Sequence, residues 1–183
     1  MTKTSSIIAL FVSAPLYLFA NITASHAAEP MSGTVQSEAE MAKILLVAND
    51  AEIDAAKLAK KKTDNPAIKT FSEHMISAHK ENNKNAKDVA KDANIKPVKN
   101  EMAKSLEDDA DMKLAELKKL KGPSFDSAYL NQQIAMHETL LKTIDEKFIP
   151  AAKSPEWKSF LEKTRVHVSS HIDEAKLILS KRP

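Results

Sequence analysis

A chain of 183 residues with 27 Lys and Arg against 25 Asp and Glu, no cysteine and 43% apolar residues is bounded before any motif is read. Near-balanced, interspersed charges exclude a basic nucleic-acid face and an acidic tail, and the lack of cysteine excludes disulfides and a cysteine-linked lipid anchor. With only 2 glycines and abundant Ala, Leu, Lys and Glu, the composition points to an all-α domain.

Residues 1–27 are expected to form a signal peptide. Lys3 supplies the positive start, Ile7 to Ala20 a short apolar stretch, and Ser25 and Ala27 the small residues read by a signal peptidase, so cleavage is expected after Ala27. No later segment comes near the roughly twenty apolar residues of a membrane span, so the expected mature chain is periplasmic or otherwise exported, without an integral span. Residues 28–36 read as a flexible lead-in, and residues 37–183 as one helical domain with a single core.

Ser37 with Glu40 has capping-box spacing, which predicts a helix from there to about Lys62, with Met41, Ile44, Leu45, Ala48, Ala55 and Ala59 on one face. Asp64 or Asn65 can cap a second helix that opens at Pro66 and carries Ile68, Phe71, Met75, Ala78, Ala86 and Val89 inward. A more polar helix follows from about Asn100 to Leu120, with Met102, Leu106, Met112, Leu114, Leu117 and Leu120 as its sparse apolar positions. It ends at the Gly122-Pro123 turn. The next runs from about Ser124 to Phe148 and stops at Pro150. Ser154 and Pro155 then open the last, which turns Trp157, Phe160, Leu161, Val168, Ile172, Ala175 and Ile178 inward. Short loops make the first two and the last two helices antiparallel hairpins. The polar helix between them is long enough to return the chain along their length, which is the crossover topology of a ferritin-like four-helix bundle.

Each of the four long helices places one polar candidate among its apolar residues: Glu52, His79, His137 and His171. Glu52 stands roughly ten residues from the end of its helix, His79 and His137 roughly thirteen from their helix starts, and His171 roughly ten from the chain end. In the crossover topology those depths agree within about one helical turn. Buried imidazoles and carboxylates pair with one another, hold water or bind a metal, so this level is either a metal site or a hydrogen-bonded polar layer that fixes helix register. Three neutral imidazoles and a carboxylate suit one divalent zinc, copper or iron ion. Met75 and Met136 could add sulfur for copper but read first as core filler. His74 lies off the apolar face of its helix, and His167 and Glu174 lie toward an edge of theirs.

Three stretches, NDAEIDAAKLAKKKTDNPAIKTFSEHMISAHKENN, GPSFDSAYLNQQIAMHETLL and SPEWKSFLEKTRVHVSSHIDEAKLI, give the chain a family likeness. It resembles exported bacterial ferritin-like four-helix proteins grouped as a domain of unknown function and often labelled membrane or outer-membrane proteins. The resemblance implies a fold and a location, and its polar positions fall on Glu52, His79, His137 and His171. The residues three before the histidines are Ile76, Ile134 and Val168, so the Glu-x-x-His pairs of di-iron carboxylate proteins are absent. No nucleophile elbow, phosphate-binding glycine loop or metalloprotease helix motif occurs, and no catalytic residue is assigned. The sequence therefore leads to a periplasmic metal-binding protein with a sequestration or envelope-stress role. The alternative is a non-catalytic structural or interaction module of the envelope, and no protein partner is legible.

Overall fold

The computed structural model describes residues 37–181, so the expected signal peptide and lead-in lie outside the described residues. Six α-helices follow in order: α1 (Glu38–Lys62), α2 (Pro66–Asp92), α3 (Glu101–Lys119), α4 (Gly122–Thr143), the single turn α5 (Ile149–Ala151) and α6 (Pro155–Ser180). A π-helical segment, Ile144–Phe148, joins α4 to α5. No strand occurs among the described residues.

Local chemistry starts these helices where the sequence placed the starts. The Ser37 hydroxyl accepts from the Glu40 N–H at 3.3 Å and the Ser37 N–H donates to the Glu40 carboxylate at 3.0 Å, closing the capping box of α1. Asn65 rather than Asp64 caps α2, accepting from the Ala67 N–H at 2.9 Å, and Ser154 caps α6 through the Trp157 N–H at 3.2 Å. Helix α4 begins at Gly122, two residues earlier than expected, because that glycine takes φ +53 and turns the chain tightly out of α3. At its other end α4 widens into the π segment, where the Ile149 N–H reaches back to the Ile144 carbonyl. Pro150 has no N–H and its ring crowds the carbonyl four residues back, so a wider turn here relieves what would otherwise break the helix.

Packing fixes the course of the chain. Helix α1 lies against α2, α3 and α4, while α6 lies against α4 and α2. The Glu38 carboxylate accepts from the N–H groups of Lys153 and Ser154 at 2.8 and 2.7 Å, and the Val98 N–H donates to the Ala39 carbonyl at 3.0 Å. The start of α1, the α2–α3 connection and the start of α6 thus share one end. At the opposite end the Lys62 ammonium donates to the carbonyls of Leu117 and Lys118 at 3.2 and 2.7 Å and lies 5.0 Å from the Phe125 ring centre. Helix α3 therefore carries the chain back alongside α1. Only Met102, Ala103 and Leu117 of α3 are buried, and Met112, expected on its apolar face, is 61% exposed. An outer helix that leans on its neighbours along one narrow stripe has no partner for a wider one.

The apolar core is divided in two. One cluster gathers Met41, Leu45, Phe148, Trp157 and Leu161, and the other Phe71, Met75, Phe125, Tyr129 and Leu130. Each polar candidate sits where its helix passes from one cluster to the other. Glu52 falls between Ala48 and Ala56, His79 between Met75 and Ala86, His137 between Leu130 and Leu140, and His171 between Val168 and Ala175.

Candidate metal centre

All four polar candidates are buried: Glu52 and His137 are 2% exposed, His79 and His171 4%. His79 on α2, His137 on α4 and His171 on α6 each offer one ring nitrogen, and these three atoms lie within 4.8 Å of one another. The closest approach is His171 Nδ1 to His137 Nε2 at 3.3 Å. Two imidazole nitrogens sharing a tetrahedral zinc at about 2.0–2.1 Å stand about 3.3–3.4 Å apart, so this pair already has the spacing of two ligands on one ion. Glu52 on α1 stands apart from the three nitrogens. Its Oε1 lies 3.6 Å from His137 Nδ1, on the side of that ring opposite Nε2.

Hydrogen bonds behind the rings decide which nitrogens carry lone pairs. The Asp50 carboxylate accepts from the Asn83 amide nitrogen at 2.8 Å, which turns the Asn83 carbonyl oxygen toward Asn49. The Asn49 amide nitrogen donates to Asn82 and Asn83, both at 2.9 Å, so its oxygen faces His79 Nδ1 at 2.8 Å. That Nδ1 must carry the hydrogen, and His79 Nε2 is left with a lone pair. The Gln133 backbone carbonyl accepts from His137 Nδ1 at 2.8 Å, which leaves the lone pair of His137 on Nε2 as well. His171 Nδ1–H then donates to His137 Nε2. Two imidazoles are thus held in the tautomer that ligates a metal through Nε2, with the partners on Nδ1 that orient metal-bound histidines.

Burial drives each titratable group of this level toward its neutral form. Burial pushes the Glu52 carboxyl from its ordinary 4.5 up to about 8, against smaller opposing effects of the Gln133 amide and Lys113. Burial also lowers His137 from 6.5 to about 4, offset in part by the Gln133 carbonyl. His171 falls to about 3 and His79 well below 6.5, burial acting first and the neighbouring histidines second. All three rings are therefore neutral at pH 7, as metal binding requires. The Gln133 side chain faces Glu52, yet its approach is too loose to satisfy either carboxylate oxygen. Both Glu52 oxygens, Gln133 Oε1 and His79 Nε2 have no hydrogen-bond partner in the protein. The Glu52 carboxyl is protonated at pH 7 and so carries one donor, while Gln133 Oε1 and His79 Nε2 are acceptors without a donor.

The family described as a domain of unknown function, DUF4142, matches residues 22–178, a span that includes all four polar candidates. The chain belongs to this family. No curated protein and no solved structure matches the chain. Within this DUF4142 domain no helix among the described residues is long and apolar enough to cross a membrane.

Other residues of the DUF4142 domain divide around the three nitrogens. Met75 packs in the core cluster of Phe71 and Tyr129, and Met136 lines a cleft of about 190 Å³ between α1, α3 and α4. His167 is exposed. His74 is half-exposed and hydrogen-bonds Glu174, but its ring also meets His171 edge-on at 5.3 Å. Asn49 and Gln133 are the hydrogen-bond partners of the buried histidines that sequence reasoning missed. Both lie on buried helix faces, Asn49 one step after Ala48 and Gln133 one turn before His137, and those positions were the available signal. Asn49→Ala strips the partners from His79, Asn82 and Asn83. It is expected to cost about 1–3 kcal/mol in urea unfolding and to weaken cobalt binding about 10–100-fold. Unchanged cobalt affinity would show that Asn49 does not orient His79.

Proposed function

We propose that this chain is an exported ferritin-like four-helix protein that holds one divalent transition ion, zinc, copper or iron, on His79, His137 and His171. Glu52 supplies the negative charge behind His137, and the role is ion sequestration or envelope-stress defence rather than catalysis. The observation that carries the reading is the convergence of three buried ring nitrogens within 4.8 Å of one another, between two apolar clusters. The His79 Nε2 lone pair has no donor in the protein. A divalent ion satisfies that lone pair, and its charge favours the ionised form of Glu52. The ferritin-like topology is supported by two helix pairs, α1 with α2 and α4 with α6, and by α3 running back alongside α1. Export rests on the leader sequence of residues 1–27.

A second reading has one observation in its favour. The bonds from Asn49 to Asn82 and Asn83, and from Asn82 to Thr164 at 2.9 Å, link α1, α2 and α6 as a register-fixing polar layer would. A purely structural layer, however, leaves the His79 Nε2 lone pair without an explanation. Elemental analysis of protein isolated from the periplasm, without a metal-affinity column, separates the readings. One ion per chain is expected. A metal-free preparation that also fails to take up zinc, copper or iron would leave the structural layer standing.

A further inference from the structure

A route for the ion is visible on the α2–α6 side. His74 and Glu174 hold each other there, His74 Nδ1 to Glu174 Oε2 at 2.9 Å, with side chains 50% and 34% exposed. The His74 ring lies 5.3 Å from His171 at 88°, and the His171 ring lies 5.3 Å from both His79 and His137. Four imidazoles therefore follow one another from solvent to the buried site. The cleft on the far side, between α1, α3 and α4, reaches Gln133 but is lined by none of the three.

We infer that His74 and Glu174 form a loading station, where a divalent transition ion binds first and from which it passes through His171 to the three-histidine site. This inference rests on the metal-binding reading above. Two donor atoms 2.9 Å apart fit one ion, since ligands at about 2.0–2.2 Å then subtend close to a right angle. For the ion to bind, the hydrogen that His74 Nδ1 shares with Glu174 moves to Nε2, which frees the Nδ1 lone pair beside the carboxylate. The ion gains a nitrogen of His171 before it releases Glu174 and His74, the His171 hydrogen moving from Nδ1 to Nε2 as Nδ1 joins the buried site, so the ion is never without a protein ligand and its oxidation state does not change.

The test follows cobalt(II) into the metal-stripped full chain by its visible absorption in a stopped-flow instrument. The comparison is between the unmodified protein and the double variant His74→Ala, Glu174→Gln, with His74→Gln alone as a gentler change. Loading is expected to slow about tenfold or more in the double variant, the scale on which charged clefts raise association rates. Release to a chelator should slow by the same factor, while the final spectrum and Kd stay as they were. Unchanged loading would overturn the station by placing the route elsewhere, and an altered spectrum or Kd would overturn it by making the pair part of the final site. If the unmodified protein gives no cobalt spectrum, the site and the station both fail. A normal spectrum with unchanged kinetics in the variant removes the station alone.

Discussion

Zinc added to the metal-free protein at a hundredfold excess over its Kd is expected to stabilise the fold by about 2.7 kcal/mol. For a domain of this size that corresponds to a rise in Tm of roughly 5–10 °C. The concentration needed is expected to be low because three neutral rings and a carboxyl are already buried together, so little reorganisation opposes binding. Binding adds interactions to a preformed site, with His137 and His171 nitrogens already 3.3 Å apart. The double variant His79→Ala, His137→Ala removes two of the three nitrogens and should show no zinc-dependent change in Tm. Differential scanning calorimetry with and without zinc reads the difference directly. An equal rise in the double variant would place the stabilising ion at some other part of the chain.

The metal-stripped protein is expected to be most stable near pH 6.5, falling off on both sides for different reasons. Glu52 has a folded pKa of about 8 against an ordinary 4.5, so between those values the folded state holds a proton that the unfolded chain has released. Stability from this group is full below 4.5 and is lost as pH rises through 8. The histidines act in the opposite sense. His137 and His171 fall from 6.5 to about 4 and about 3, and His79 well below, so their contribution is full above 6.5 and is lost as pH falls.

Between 4.5 and 6.5 the three rings outweigh the one carboxyl and stability climbs with pH; from 6.5 to 8 Glu52 acts alone and stability declines. Each unmatched proton is worth about 1.4 kcal/mol per pH unit. Urea midpoints measured across this range should show the maximum. Glu52→Gln should abolish the alkaline decline and steepen the acid side. An alkaline decline of the same size in Glu52→Gln would assign it to another group.

Helix capping and face periodicity were legible in the sequence because both depend on residues within a turn or two of each other. Ser37 with Glu40 and Ser154 with Pro155 close as their spacing implies. The same periodicity placed Glu52, His79, His137 and His171 inward, but it could not say which atoms meet. The direction of the Glu52 carboxyl depends on how α1 and α4 are set against each other, and the structure turns it toward His137 Nδ1 rather than to the three nitrogens. Asn49 escaped notice because an amide on a helix looks alike in sequence whether it meets water or a histidine. His74 escaped for a related reason: it lies off the buried face of α2, and only the approach of α6 brings His171 against it. The π segment follows from Pro150, but one proline is equally compatible with a plain stop.

The polar band that separates the two apolar clusters has a further consequence. A continuous layer of leucine and isoleucine at that height would bury more apolar surface and leave no lone pair unmet, so the fold is held below the stability its length and helix content permit. Variants selected only for heat resistance should therefore accumulate aliphatic residues at positions 52, 79, 137 and 171.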